Sequence, residues 1–207
     1  MNHAIILSAL LIVYCTIHSL LISLPVTNFI KRKTGKRFCY FRLFFNVFSV
    51  VSLIPVVYYD YVLHHEPFFV WSGSLLYLKY GMIISGAGLL VAGARQYSFS
   101  HFIGINQIKT QCVEENNVAA DKLNTSGVLG LIRHPWYTAV ILLLWSRNLD
   151  YSNLIVNIIF SLYLLAGAWL EEKKLIKAFG NIYLHYRQTV SMFLPFKWIS
   201  KFLTSQY

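Results

Sequence analysis

The chain has 207 residues, of which 57% are hydrophobic and only 13% charged, with a mean hydropathy of +0.54 and a formal charge of +10. Soluble domains carry about 25% charged residues, so this composition cannot coat a water-soluble globule, and it is far too apolar for a disordered chain. Three cysteines without a CxxC pair exclude a disulfide scaffold and argue against a zinc ribbon. A basic balance suits nucleic acid only when it forms a face on a soluble domain. Here the bases lie between apolar runs, so the expected partner is the lipid bilayer and not nucleic acid.

A membrane-crossing helix needs about 20 mostly apolar residues to cover about 30 Å of hydrocarbon. Five stretches approach that length, at about 4–24, 43–63, 75–94, 128–145 and 153–170. The first lacks a basic leading region and is too long for the core of a signal peptide, so it reads as a span. Asp60 and Lys79 fall near span ends, Arg133, His134 and Pro135 interrupt the start of the fourth, and Glu171 and Glu172 follow the fifth at once. Sixteen of the 18 bases sit between spans one and two, between three and four, or after five; only Lys79 and Arg147 fall on the other side. The positive-inside tendency then predicts an external N-terminus and a cytoplasmic C-terminus, with a bacterial inner membrane as the expected location.

The expected fold is therefore all-α, a single polytopic membrane domain over 1–207. Three N-terminal spans occupy 1–95, a cytoplasmic loop 96–127, and a helix hairpin with its tail 128–196. At about 30 residues the polar loop is long enough to suggest function. Beyond Glu171, the residues Leu175, Ile176, Phe179, Ile182, Tyr183, Tyr186 and Val190 recur at spacings of three and four, with bases between them. That stripe predicts an amphipathic helix at the membrane interface.

Ionisable residues at membrane depth are costly and point to function or to specific pairing. With an outer turn near Ser152, His134 lies 18 residues before it and Glu171 lies 19 after. At 1.5 Å per residue both return to roughly 27–28 Å below the turn. A hairpin of helices thus brings an imidazole, an arginine, two aromatics and two carboxylates to one level. Pro135 favours a first helical turn and disfavours helix at His134, which leaves an entrance whose free amides can hold an anionic group. The alternative is a capped helix start, with Arg133 reaching headgroups and the Glu pair solvated.

The segments TSGVLGLIRHPWYTA and EEKKLIKAFGNIYLHYRQTVSMFLPF resemble the C-terminal half of the isoprenylcysteine carboxyl methyltransferase and phospholipid methyltransferase superfamily. The shared pattern is a Gly-rich approach, Arg-His-Pro-x-Tyr, a hairpin, a Glu pair, Phe-Gly-x-x-Tyr-x-x-Tyr and a closing Pro, over about 124–196. The resemblance implies a membrane methyltransferase whose S-adenosylmethionine site is built from this hairpin. It implies cofactor contacts at His134, Pro135, Trp136 and Tyr137, at Leu129, at Asp121, Lys122, Leu123 and Asn124 in the approach, and at Glu171. Aromatic faces at Trp136, Tyr137 or Tyr183 suit a sulfonium cation. The methyl transfer that the resemblance implies requires no metal. Isoprenylcysteine enzymes carry an Arg four residues before the matched Glu, where Gly167 stands here. Arg133 and Arg187 are then the candidate catalytic contacts to the acceptor. The implied acceptor is lipophilic, with O- or S-methylation favoured. Phospholipid amine N-methylation is the alternative within enzymes, and a non-catalytic NnrU-like accessory protein is the alternative outside them, on a weaker likeness in HSLL at His18 and RLFFN at Arg42.

Other polar residues read more plainly. His18 fits a structural histidine between neighbouring helices, and His64-His65-Glu66 an outer loop, since adjacent side chains diverge. Gly81 with Ser85, and Gly88 with Ala92, have the spacing that permits close helix packing. Gly86-x-Gly88 lies inside an apolar run and is no dinucleotide loop. The stretch SFSHFIGINQI at 98–108, with His101, Asn106 and Gln107, either covers the cofactor or lies at the interface. Cys15 reads as a packing residue.

Overall fold

Surrounded by hydrocarbon, an apolar segment must satisfy its backbone internally, which selects the helix. A computed structural model of the chain shows that outcome, and describes residues 2–62, 66–96, 103–109 and 123–204. The helices are α1 (Asn2–Leu21), α2 (Leu24–Thr34), α3 (Phe41–Val62), α4 (Leu75–Ala94), α5 (Ile105–Lys109), α6 (Pro135–Trp145), α7 (Tyr151–Phe179), α8 (Asn181–Thr189) and α9 (Phe196–Thr204). Short 3-10 turns cover Gly35–Tyr40 and Gly127–Gly130. Among the described residues there is no strand, only isolated bridges between Phe69 and Leu149 and between Ile132 and Ser191. The protein is an all-α polytopic membrane protein, as its composition predicts.

Among the described residues, four helical stretches have the length and hydropathy to cross a membrane: His3–Leu21, Leu24–Val62, Leu75–Ala94 and Tyr151–Phe179. The fourth expected span is shorter than its apolar run suggests. Pro135 holds His134 at φ −123° and ψ 65°, off the helix, so α6 begins only at Pro135 and has 11 residues, about 16 Å of helix. The last expected span is longer, with α7 running 29 residues straight through Glu171 and Glu172. The basic stretch between the first two spans carries α2, which ends on Lys31, Arg32 and Lys33.

By contacts the chain forms two compact units, one of Met1–Phe69, Tyr97–Ala119 and Leu149–Ile159, the other of Val70–Gln96, Ala120–Asn148 and Phe160–Tyr207. In the first, Leu7, Leu11 and Cys15 of α1 and Phe45 and Val56 of α3 are buried. The His18 ring stands 5.8 Å from Tyr14 and 4.8 Å from Phe45, which fits its structural reading.

In the second unit, α4 packs against α6 through glycines seven residues apart. A Cβ on Gly86 would lie 2.9 Å from Leu143 Cγ and 3.2 Å from the Ala139 carbonyl, and one on Gly93 would overlap the Trp136 indole. The expected pairs are not the ones used, since Gly81 and Gly88 face open space. The apolar stripe beyond Glu171 also differs from expectation. Gly180, at φ +56°, ends α7 with a turn that suits glycine. Tyr183, Tyr186 and Val190 then fold back as a buried cluster against Leu123, Leu175, Ile176 and Phe179. Most of the stripe thus packs within this unit, while its Ile182 stays exposed, and a second amphipathic helix, α9, follows further along.

Candidate active site

Proline sets the site's backbone. With His134 outside the helix, the strand-like residues 132–134 lie beside 190–193: Arg133 N donates to the Ser191 carbonyl at 2.9 Å and His134 N to the Met192 carbonyl at 3.1 Å. Thr138 Oγ1, one turn into α6, donates to the Phe193 carbonyl at 3.1 Å. Helices α6 and α7 meet as an antiparallel pair at two points. Trp145 Nε1 donates to Ser161 Oγ at 3.0 Å, and Tyr137 Oη donates to Glu171 Oε2 at 2.9 Å. The expected meeting of His134 and Glu171 at one level is observed, with Nδ1 3.6 Å from Oε2.

The two glutamates are 100° apart on α7 and have opposite surroundings. Glu172 has only 5% of its side chain exposed, and Arg133 has 7%. Arg133 Nη2 and Nε reach Glu172 Oε1 at 2.6 and 2.7 Å, and Arg187 Nε reaches Oε2 at 3.0 Å. The remaining Arg133 nitrogen, Nη1, donates to the carbonyls of Arg187, at 3.1 Å, and Val190. Arg133 is thus enclosed by protein acceptors, whereas Arg187 keeps 42% exposure. Glu171 is 45% exposed, held by Tyr137 at its edge.

His134 sits between the two carboxylates with 3% exposure. Burial pushes its imidazole below the usual 6.5, although Glu171 and Glu172 pull the other way. Its Nε2 lies 3.4 Å from Glu172 Oε1 without hydrogen-bond alignment. Tyr137 stands edge-on to the ring at 5.2 Å, and Phe193 covers it at 5.9 Å. The result is a neutral donor-acceptor ring, a half-exposed carboxylate and a phenol, framed by a buried ion pair.

The other expected residues are distributed as follows. Pro135 is buried at the first helical position, and Trp136 lies over Gly93. Leu129 is buried with Val128 and Ile132, so its side chain faces the core, while its carbonyl accepts a 2.6 Å bond from Tyr186 Oη. Leu123 packs on the Tyr183 and Tyr186 cluster. Asn124 is exposed and donates to Gln96 at 3.4 Å. Asp121, Lys122, His64, His65 and His101 lie outside the described residues. A Cβ at Gly167 would stand in ordinary contact with the Tyr137 ring, at 3.6 Å. Among the described residues, no three His, Cys, Asp or Glu side chains gather as metal ligands.

Sequence reading missed three participants. Glu172 was only half of a pair, yet the 100° step between successive helical residues already requires the two to face differently. Tyr186 was placed on an interfacial stripe and instead fixes the approach segment through Leu129. Lys197 counts in the sequence only among the bases after span five that set orientation; its Nζ donates to the Arg187 carbonyl at 2.6 Å. Beside it is a groove of about 650 Å³ lined by Arg133, Leu184, Arg187, Met192, Phe196 and Lys197, among others.

No family model matches the chain, and no solved structure matches it. Curated proteins do. Over 117 residues the chain is 27% identical to methanethiol S-methyltransferase 1 of Bradyrhizobium diazoefficiens, covering 55% of this chain and 41% of that protein. Over 125 residues it is 26% identical to the methanethiol S-methyltransferase of Pseudomonas deceptionensis, covering 59% and 44%. Over 66 residues it is 36% identical to a protein of the same name from another Pseudomonas, covering 31% and 25%. The matches span less than half the length of each of these relatives.

Proposed function

We propose that this chain, a homologue of the curated methanethiol S-methyltransferases and with them a member of the isoprenylcysteine carboxyl methyltransferase-like membrane methyltransferases, transfers a methyl group from S-adenosylmethionine to a small lipophilic acceptor, with a thiol favoured. The observation that supports this most is the convergence of His134, Tyr137 and Glu171 at one point, from segments that the resemblance singled out independently. The N-terminus would face outward and the C-terminus the cytoplasm of a bacterial inner membrane, so that the site opens to the soluble cofactor.

The side chains fit that cofactor. The half-exposed Glu171 carboxylate suits an ammonium or a ribose hydroxyl, and the neutral His134 offers a nitrogen not engaged by an aligned bond. Tyr137 presents an aromatic face suited to a cation, with a Cβ at Gly167 only in ordinary contact with its ring, whereas the Trp136 indole packs over Gly93. Pro135, Leu129 and the approach residues Asp121, Lys122, Leu123 and Asn124 would contribute through backbone. Bound there, S-adenosylmethionine supplies an electrophilic methyl group on a good leaving group.

Positioning then carries much of the catalysis. An ordinary thiol is already a few per cent thiolate near neutral pH and strongly nucleophilic, so no strong base is needed. Arg133 and Arg187, the candidate catalytic pair, both bond Glu172, whose carboxylate lies beside the His134 ring. A neutral His134 leaves the positive charge of the site to the cofactor itself.

The test is calorimetric titration of the detergent-purified protein with S-adenosylhomocysteine, followed by His134→Ala and Glu171→Gln. The native chain should bind and both variants should lose binding by tenfold or more. Folded protein that does not bind would overturn the enzyme reading. Membranes given methyl-labelled S-adenosylmethionine should release label as a volatile thioether; label confined to lipid or to protein ester would overturn the thiol acceptor.

A further inference from the structure

Apart from Lys197, helix α9 has no role in the site described above, and its residues are sorted with unusual strictness. At 100° per residue, Phe196, Trp198, Ile199, Phe202 and Leu203 occupy one continuous arc, and Lys197, Ser200, Lys201 and Thr204 occupy the opposite one. The five large apolar side chains are all exposed, between 42% and 67%. Trp198 and Phe202 stack on each other at 5.8 Å. Such a helix, with apolar residues opposite lysines, has the composition of one lying in the plane of a membrane interface.

Its first turn also closes the basic groove. Lys197 and Phe196 line that groove together with Arg133, Arg187, Leu184 and Met192. Three cations border the space, and Glu172 is the acidic partner of two of them, Arg133 and Arg187. Lys197 makes its bond to a carbonyl, not to a carboxylate, so its charge is uncompensated there. The cavity is otherwise apolar, through Leu184, Met192 and Phe196.

We propose that α9 is an interfacial anchor and that the groove at its N-terminal end binds the phosphate of an anionic phospholipid, Lys197 and Arg187 meeting the headgroup and the apolar lining meeting the first acyl carbons. Charge complementarity selects the anionic class, and the apolar lining beside exposed aromatics selects a lipid over a free anion. The groove shares Arg133 and Arg187 with the ion-pair cluster around Glu172, but its test varies Lys197 and reads retained lipid, not methyl transfer.

The full chain, purified in detergent, is titrated with dioleoylphosphatidylglycerol, with dioleoylphosphatidylcholine and with inorganic phosphate, and retained lipid is read by native mass spectrometry. Phosphatidylglycerol should bind at least about fivefold more tightly than phosphatidylcholine, and Lys197→Gln should remove about fivefold of that preference, the effect of one basic residue near an anionic surface. Lys201→Gln, on the polar arc but outside the groove, should change it less. Phe196→Gln, which leaves every charge in place, should weaken both lipids. Equal binding of the two lipids, equal effects of the two lysine variants, or displacement of phosphatidylglycerol by millimolar phosphate would each overturn the proposal.

Discussion

Removing the charge of Glu172 by Glu172→Gln should destabilise the protein far more than removing its exposed partner. Arg133 is 7% exposed and directs Nε and Nη2 at one oxygen of Glu172. Its other bonds go to two neutral carbonyls. An amide at 172 therefore leaves a buried guanidinium without an anion, because the neighbouring carboxylate of Glu171 is held by Tyr137. Breaking a buried pair in this way costs about 3–5 kcal/mol. At about 2–4 °C per kcal/mol for a chain of this size, the midpoint should fall by about 6–20 °C. Arg187 is 42% exposed, and a pair of that kind contributes about 0–1 kcal/mol, so Arg187→Gln should lower the midpoint by at most about 4 °C. Scanning fluorimetry of the three proteins in one detergent makes the comparison. Equal shifts for the two variants, or a Glu172→Gln midpoint within 2 °C of the native one, would refute the assignment of Glu172 as the buried keystone.

Glu171→Gln, at the half-exposed neighbour, should leave the thermal midpoint within about 1 kcal/mol of native while abolishing S-adenosylhomocysteine binding; a large loss of stability would merge the two glutamates into one role. Tyr186→Phe should cost about 1 kcal/mol through the lost bond to the Leu129 carbonyl. Tyr183→Phe should be neutral or stabilising, because the Tyr183 hydroxyl is buried with no hydrogen-bond partner among the described residues; a loss above 1 kcal/mol in denaturant titration would contradict this. Gly93→Ala should destabilise by about 1–3 kcal/mol through overlap with Trp136, whereas Gly88→Ala, facing open space, should gain up to about 1 kcal/mol from helix propensity. Since the folded protein holds His134 below 6.5, the unfolded chain takes up that proton first as pH falls. Stability contributed by His134 is complete above 6.5 and declines from there toward its folded value. His134→Asn should flatten the midpoint between pH 7.5 and 5 relative to the native chain, and superimposable profiles would remove His134 from the acid response.

The membrane class and the first three spans were legible because a hydrocarbon solvent leaves a long apolar run little choice but helix. The meeting of His134 with Glu171 was legible because the hairpin turns near the midpoint between them. The length of α6 was not, although its cause stood in the sequence: Pro135 excludes His134 from the helix, and an apolar run does not show where helix begins inside it. The stripe from Leu175 to Val190 had helical spacing, but spacing does not distinguish burial against the chain from burial in a bilayer. Gly180 decided it by letting the stripe fold back on itself. The role of Glu172 depended on which guanidinium would approach from another segment, and that is a tertiary fact.

The backbone bonds from Arg133 and His134 to Ser191 and Met192 join segments made nearly 60 residues apart. During synthesis, the hairpin of α6 and α7 can insert before those carbonyls have left the ribosome, with the Arg133 guanidinium still lacking two of its acceptors. The candidate site is therefore completed by the tail, and a chain ending before residue 192 would lack the carbonyl that the His134 N–H meets.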